Sequence, residues 1–451
     1  MGDITDARGL ALSAPDARAV ERLEAVVDDI YYYRLGVGDR LDALLAEHPD
    51  FAMAQVQKGY SLMSEATLDV VPKARERLAL AEALPATRRE RLHQDALRGL
   101  IDQDLAVSTA AWEQILVEWP RDLLALRQYT GALFWTGEKR RQAEISAGVA
   151  THWGEGTPGR GHFLSAHAFA MEEVGQYAVA ERCAREALAI QPQDLWALHG
   201  LTHVFEMQGR VTEGVERLTE ASQFLNDYNL FRGHLWWHLG LFRITEGHLD
   251  AALELFDRHI YPGASGFYLD VQNGASLLAR LEFQGLTVGP ERWARLAEGS
   301  LKTCAQTTLW FTSMHQVMAL IRAGHSPDAA LGYLGQAAAG SEQADLAHAL
   351  SLAAAAFCQD RPQEALDSLL ALRPRHGGLG ASHAQQDLYD QIAVAAALQL
   401  GDRPRVCALL KARLTTRVWD AATWQAFEDR SRRIDAAADL AAVRAELRWA
   451  S

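Results

Sequence analysis

The stretch DLWALHGLTHVFEMQGR at residues 194–210 places three residues with possible chemistry on one helical face. His199, His203 and Glu206 are spaced four and then three residues apart, and residues at these spacings are neighbours on a helix surface. Imidazole and carboxylate groups bind metal ions and transfer protons. The pattern therefore predicts a metal or acid/base site, or the polar lining of a ligand-binding surface.

A second pair of histidines occurs in the sequence HLWWH. His234 and His238 are again four residues apart, and Trp237 lies between them. In the earlier stretch, Trp196 falls on the same face as the histidines at about 100° per residue, while Leu198 and other apolar residues occupy the opposite face. The two pairs predict two neighbouring helices that each carry a polar and aromatic face.

Internal repeats indicate which elements position these faces. The segments ILVEWPRDLLALRQYTGALFWTG at 115–137 and LAIQPQDLWALHGLTHVFEMQG at 188–209 share a Pro-x-Asp start and a closing glycine. Gly175 and Gly209 are 34 residues apart, which is the tetratricopeptide period, and Gly247 follows after one unit and a short insertion. Asp122 and Asp194 stand where a helix N-cap is expected.

The repeats predict an all-α fold, namely a tetratricopeptide-repeat right-handed α-solenoid in which helix hairpins stack into a superhelix. We expect a single continuous helical-repeat array over residues 1–451. It comprises N-terminal helices at 1–88, the most regular repeats at 89–260 and divergent C-terminal repeats at 261–451. A loop is expected at 373–386, where the sequence reads RPRHGGLGASHAQQ.

The repeat register extends the polar face along the inner, concave side of the array. Carried backward, it places His162, Glu172 and Glu173 on the same surface as the first histidine pair. Carried forward, it adds the HLWWH pair, and it puts His315 at the position equivalent to His199. The sequence therefore predicts a concave groove lined by histidine, glutamate and tryptophan.

Composition and charge limit the classes of partner. The 451 residues carry a formal net charge of -14 with 49% hydrophobic and 23% charged residues, typical of a globular chain. Because phosphate groups attract lysine and arginine, we expect neither a nucleic-acid nor a membrane partner. Four cysteines without a CxxC pair, no signal-like N-terminus and no apolar run of about 20 residues predict a cytoplasmic protein.

The chain resembles the family of tetratricopeptide repeat protein 38 over nearly its whole length. The resemblance rests on AFAMEEVGQYAVAERCAREALAIQPQDLWALHGLTHVFEM at 168–207, GHLWWHLGLFRITEGHLDAALELFDRHI at 233–260 and LDVQNGASLLARLEFQG at 269–285. It implies a helical-repeat fold but no particular reaction or cofactor. Gln386 stands where an arginine is usual in the family. The family pattern has matches for His199, His203, Glu206, His234, His238, Asp270 and His315.

Two functions are consistent with these residues. The first is binding of a small molecule or a peptide in the concave groove, by a chain that could form a homodimer. The ligand-binding candidates are His162, Glu172, Glu173, Trp196, His199, His234, Trp237, Asp270 and His315.

The alternative is a metal-dependent or acid/base enzyme, a hydrolase or lyase, with a divalent metal ion as the possible cofactor. The catalytic candidates are His203, Glu206 and His238. The metalloprotease signature HExxH is absent because Gly200 follows His199. The candidate metal ligands are His199, His203, Glu206, His234 and His238.

Overall fold

The computed structural model describes residues 4–334 and 341–414. Within these ranges the chain is helical apart from loops and one small antiparallel hairpin near the N-terminus. The hairpin consists of β1 (Ile4–Thr5) and β2 (Ala11–Leu12), with Ile4 opposite Leu12. The described residues divide into two compact units, one of residues 4–201 with Phe224–Asn229 and one of Thr202–Gln223 with residues 230–334 and 341–414.

Unit 1 contains ten complete helices and the start of an eleventh within its described residues. Short 3-10 turns occur at Leu68–Val70, Ala150–His152 and Leu225–Asp227. The helices are α1 (Ala17–Tyr31), α2 (Val37–Glu47), α3 (Ala52–Met63), α4 (Val71–Glu82), α5 (Arg88–Ile101), α6 (Leu105–Glu118), α7 (Leu123–Trp135), α8 (Lys139–Val149), α9 (Arg160–Glu172), α10 (Tyr177–Ile190) and the first residues of α11 (Leu195–Met207).

The residues shared by the repeats form the turns and the helix starts. Gly137 and Gly175 adopt φ values of 76° and 77° between the two helices of a hairpin, a conformation that glycine adopts without strain. The Asp122 carboxylate accepts a hydrogen bond from the Ala125 N–H at 2.8 Å and so caps α7. Asp194 caps α11 in the same way. The predicted N-caps are present at both positions.

Unit 2 continues the succession of hairpins. A π-helical turn at Phe256–Ile260 extends one helix, and a 3-10 turn occupies His376–Leu379. The helices after the end of α11 are α12 (Val211–Ala221), α13 (Arg232–Thr245), α14 (Leu249–Leu255), α15 (Tyr268–Phe283), α16 (Pro290–Leu301), α17 (Thr312–Arg322), α18 (Pro327–Leu334), α19 (Glu342–Cys358), α20 (Pro362–Leu372), α21 (His383–Gln399) and α22 (Arg403–Leu414).

Small residues let the helices of unit 2 approach α13 closely. A Cβ atom built on Gly214 of α12 would lie 2.3 Å from Cζ of Phe242, and one on Gly240 would lie 3.2 Å from Cδ1 of Leu277. Residues 233–242 of α13 are all buried. Packing of α12 and α15 against α13 thus encloses the HLWWH residues in the core of this unit.

The all-α class and the solenoid succession of helix hairpins are confirmed. The right-handed sense of the superhelix stays a prediction. The segment 373–386 is less irregular than expected, because α21 begins at His383 with Ser382 as its N-cap. In the described ranges, no helix has the length and apolar character needed to span a bilayer.

Candidate functional site

Helix α13 presents two imidazoles on one face of a helix that is buried on all sides. His234 is 3% exposed and His238 is 0% exposed. Their ring centroids lie 4.7 Å apart in an edge-to-face arrangement, as the i, i+4 spacing dictates. The indole of Trp237, also fully buried, stacks on His234 with 5.0 Å between centroids. The tryptophan thus holds the first imidazole against the helix.

The end of α11 brings a third imidazole and a carboxyl group to the same face. His203 and Glu206 are 0% and 4% exposed. The His203 ring lies edge-to-face with His238 at 4.6 Å. His238 Nδ1 lies 2.9 Å from Glu206 Oε2 and donates its proton to this oxygen. The histidine cluster, defined as His203, Glu206, His234, Trp237 and His238, is therefore a contiguous group in unit 2.

Helix α15 contributes further contacts to the cluster. Asn273 Oδ1 lies 2.8 Å from His234 Nδ1, so the amide oxygen accepts the imidazole N–H. The guanidinium of Arg280 lies over the Trp237 ring, with Cζ at 5.6 Å from the centroid, a cation–π geometry. Arg280 is 2% exposed and donates to the Ala384 carbonyl at 2.8 Å. These contacts fix the orientations of His234 and Trp237.

Burial favours the neutral form of both imidazoles of α13. Burial holds the pKa of His234 and of His238 well below the usual range, because an apolar surrounding penalises the charged form. The neighbouring imidazoles lower both values further, and the charge of Arg280 adds to the effect on His238. Since each Nδ1 donates to an oxygen, the lone pair of each neutral ring is on Nε2.

The three imidazoles are close enough to share an ion. His203, His234 and His238 each offer a ring nitrogen, and these atoms lie within 4.8 Å of one another. Neutral imidazole is the commonest protein ligand for transition metals. The pair of Glu206 and His238 is also an arrangement that can move a proton, because a carboxylate orients an imidazole base in many acid/base sites.

Two further candidates lie in unit 2, on α15 and α17. Asp270 is one helical turn before Asn273 on α15 and is 6% exposed; burial raises its pKa to about 6. His315 Nδ1 on α17 donates a hydrogen bond to the carbonyl oxygen of Phe311, the N-cap residue of that helix, at 3.1 Å. Burial, assisted by the charge of Arg280, lowers the pKa of His315 to about 3.

Among the unit 1 candidates, His162 lies against the N-terminal helices of that unit. Its Nε2 is 2.9 Å from Asp28 Oδ1, and its ring stacks on Tyr31 at 4.6 Å. It is 3% exposed. The contact partners Asp28 and Tyr31 are distant in sequence, so the repeat register located the helix face of His162 but not its neighbours.

The other unit 1 candidates lie at the end of α9 and in the first turns of α11. Glu173 forms an ion pair with Lys139 at 2.7 Å, and Glu172 beside it is 0% exposed. His199 stacks on Trp196, with 4.9 Å between centroids. Glu172, Glu173 and His199 are buried, and Trp196 is half-buried.

Sequence reasoning missed the supporting residues on α15. Asn273 and Arg280 are seven residues apart and so share a face of the helix. The signal was the polar spacing in LDVQNGASLLAR, which continues the face of Asp270. This spacing does not predict a buried arginine, because an arginine near a helix end is ordinarily exposed, whereas Arg280 is 2% exposed.

Together these features define a helical-repeat protein with a buried cluster of histidines. No family model matches the chain. Among solved structures, the chain is similar to a human IFIT1 dimer with m7Gppp-AAAA, at 14% identity and a TM-score of 0.42 over 94% of this chain and 96% of that one. It is also similar to the human IFIT1 dimer with PPP-AAAA, at 14% identity and a TM-score of 0.41 over 94% and 95% of the two chains.

These similarities correct one expectation. The formal charge of -14 led us to predict no nucleic-acid partner, but both IFIT1 structures contain a nucleic acid. That prediction was wrong in its reasoning, because net charge sums over a whole chain whereas phosphate groups interact with local clusters of arginine and lysine. At these TM-scores the similarity assigns no ligand to the present chain.

Proposed function

We propose that the chain is a ligand-binding member of the tetratricopeptide repeat protein 38 family, with its site at the histidine cluster of unit 2. One observation carries the proposal. Four polar side chains and one tryptophan, each at most 4% exposed, form a contiguous group in a helical core. Burying polar groups opposes folding unless they are well paired, and buried groups with displaced pKa values concentrate at functional sites.

A small molecule fits this site better than a peptide. Peptide ligands dock on accessible grooves or edges, whereas His203, Trp237 and His238 are 0% exposed. Small-molecule sites are enclosed, mostly apolar, and carry a few oriented polar groups. Trp237 provides the apolar surface, and the imidazoles provide the polar atoms.

A thermal-shift screen tests the proposal. The full chain would be heated with small carboxylates, phosphates, amines and neutral sugars, because a ligand that binds only the folded state raises Tm. The His238→Asn variant keeps a donor near Glu206 but removes Nε2. His259→Asn is the matched control, because His259 stacks on the other side of α13, against Trp236 at 4.1 Å.

We expect one chemical class to raise Tm of the wild type and of His259→Asn by several degrees, with the shift lost in His238→Asn. A pool of short peptides should give no shift that depends on His238. The proposal is wrong if no compound stabilises the wild type, or if the stabilising compounds act equally on His238→Asn.

An acid/base enzyme is the second candidate, favoured by the 2.9 Å contact between His238 and Glu206. In this reaction class His238 would transfer the proton, Glu206 would orient the ring, and His203 would contact the substrate. Hydrolysis of chromogenic esters, amides and phosphates provides the assay. Turnover by the wild type should fall about 10²- to 10⁴-fold in His238→Asn. Equal turnover in both proteins excludes this role.

The broader predictions from sequence also stand as proposals. They are the single array over 1–451 with its divisions at 1–88, 89–260 and 261–451, a cytoplasmic location and a homodimer. His162, Glu172, Glu173, Trp196, His199, Asp270 and His315 remain proposed ligand-binding residues on the strength of the repeat register and the family resemblance.

A further inference from the structure

We infer that the histidine cluster holds one divalent transition-metal ion, with zinc as the best match, ligated by His203, His234 and His238. The inference rests on the proposed function, because the metal ion is the group to which the proposed small molecule would bind. The three ligands come from two helices of the same unit, and their ring nitrogens lie within 4.8 Å of one another.

The spacing suits a metal after small side-chain rotations. Zinc–nitrogen bonds are about 2.1 Å long, so tetrahedral ligands on one ion are about 3.4 Å apart. His234 and His238 share one face of α13, and the ring nitrogens of the three histidines lie within 4.8 Å of one another. Rotation about χ1 and χ2 would bring these nitrogens to the separation that zinc requires. Helix bundles build metal sites from facing side chains in this way.

The hydrogen bonds around the rings are those of a metal site. A ligating histidine usually donates its other ring N–H to a carboxylate or a carbonyl oxygen, which fixes the tautomer and strengthens the ligand. Here Glu206 Oε2 accepts from His238 Nδ1 at 2.9 Å, and Asn273 Oδ1 accepts from His234 Nδ1 at 2.8 Å. Both contacts put the lone pair on Nε2, the atom that would bind the ion.

The donor set indicates the class of metal and leaves room for a ligand. Imidazole nitrogens select zinc, copper, iron or nickel over magnesium and calcium, which prefer oxygen ligands. Three protein ligands occupy three of the four tetrahedral positions, and zinc sites of this kind keep the fourth for water or substrate. Glu206 and Asn273 are positioning residues, since each acts on the ion through a histidine.

The sequence alone includes His199 and Glu206 among the metal ligands. His199 lies one turn before His203 on α11 and belongs to unit 1. Glu206 is engaged with His238. The inference therefore rests on the three histidines of unit 2, with Glu206 moved from ligand to positioning residue.

Titration calorimetry with zinc chloride tests the inference. The full chain, prepared without a histidine tag, is dialysed against a chelator and titrated with Zn²⁺. We expect one ion per chain in the wild type and in the control His259→Asn. Affinity should fall by more than about 100-fold in His203→Asn, His234→Asn and His238→Asn, and by about 10- to 100-fold in Glu206→Gln.

Absorption spectra of the Co²⁺-substituted chain provide a readout that a folding defect alone does not mimic. The ligand-field bands of Co²⁺ should be present in the wild type, altered in Glu206→Gln and absent from His238→Asn at equal helix content. If the wild type binds no stoichiometric zinc, or if the three Asn variants bind zinc as tightly as the wild type, the inference is wrong.

The same preparations separate this inference from the proposed function. If a small molecule stabilises the chelator-treated wild type but not His238→Asn, and no zinc binds, the proposed ligand site is supported and the metal inference is wrong. If zinc binds stoichiometrically but no small molecule has an effect, the metal inference is supported and the proposed small-molecule binding is wrong.

Discussion

Glu206 Oε2 accepts a hydrogen bond from His238 Nδ1 at 2.9 Å, and both side chains are at most 4% exposed. The contact joins α11 to α13 inside unit 2. A carboxyl group in such surroundings loses its hydration, so its hydrogen bond to the imidazole is needed to offset that loss. The pair thus has a structural role in addition to any chemistry.

Removal of the carboxyl group should therefore destabilise the metal-free chain. Glu206→Ala leaves the His238 Nδ1–H in the core without its acceptor, and we expect a loss of about 1–3 kcal/mol in the free energy of unfolding. Glu206→Gln, which keeps an acceptor oxygen, should lose less. Urea unfolding followed by far-ultraviolet circular dichroism measures both.

The exposed Glu216 of α12 provides the control. Glu216→Ala should change stability by no more than about 0.5 kcal/mol. A loss in Glu206→Ala no larger than this would show that the contact with His238 contributes nothing to stability.

The close approach of α12 to α13 makes a second prediction. A Cβ atom at Gly214 would lie 2.3 Å from the Phe242 ring, so Gly214→Ala forces the two helices apart. We expect a loss of about 1–3 kcal/mol from overpacking, which Phe242→Leu should partly restore in the double variant. Thermal unfolding of the three proteins checks this.

An alanine at Gly148 is the matched control. Gly148 lies within α8, is exposed, and has open space at the Cβ position. Gly148→Ala should stabilise the chain by about 0.5–1 kcal/mol, because alanine has the higher helix propensity. If Gly214→Ala and Gly148→Ala changed the stability in the same direction, the steric explanation for Gly214 would be wrong.

Arg280 provides a third prediction. Its guanidinium stacks over Trp237 and donates to the Ala384 carbonyl on α21. Arg280→Lys keeps the charge but loses the planar stacking and the bond geometry, so we expect a loss of about 2 kcal/mol in stability. Arg258→Lys is the control, because Arg258 is exposed and pairs with Glu254 on the surface. Equal unfolding curves for wild type and Arg280→Lys would contradict the role.

The parts of the fold that local sequence determines were predicted. Pro-x-Asp caps and glycine turns act within a few residues, and they locate α7, α11 and the hairpin turns at Gly137 and Gly175. Helix periodicity likewise places the histidines on one face. These features depend on the backbone and on neighbours three or four residues away.

Long-range contacts were not predicted. The position of Asn273 in the sequence predicts which face of α15 it occupies. It does not predict that the side chain contacts His234, 39 residues earlier in the chain. The burial of Trp237 and His238 depends on how closely α12 and α15 pack on α13, which is set by Gly214 and Gly240. A groove-lining residue and a buried residue carry the same spacing pattern, so periodicity alone could not distinguish them.

The two Pro-x-Asp caps should respond to pH in opposite directions. Burial raises the pKa of Asp194 from 3.8 to about 6. As pH rises, the carboxyl group ionises at a lower pH in the unfolded chain than in the folded chain. The free energy of unfolding therefore falls between about pH 4 and pH 6 and stays reduced at higher pH. Asparagine caps a helix without ionising. Asp194→Asn should therefore gain up to about 3 kcal/mol relative to the wild type between pH 4 and pH 8.

Asp122 is the matched opposite case. Although burial raises its pKa, His93 at 3.1 Å and Arg89 at 2.6 Å hold the pKa well below the usual range. The folded state then favours the ionised form of Asp122. The resulting contribution to the free energy of unfolding is present above about pH 4 and is lost as pH falls below this value. Asp122→Asn should lose stability relative to the wild type as pH rises from 3 to 7. Urea unfolding across this range measures both variants. Parallel pH profiles for Asp194→Asn and Asp122→Asn would show that the shared cap position, and not the partners of each carboxyl group, governs the response.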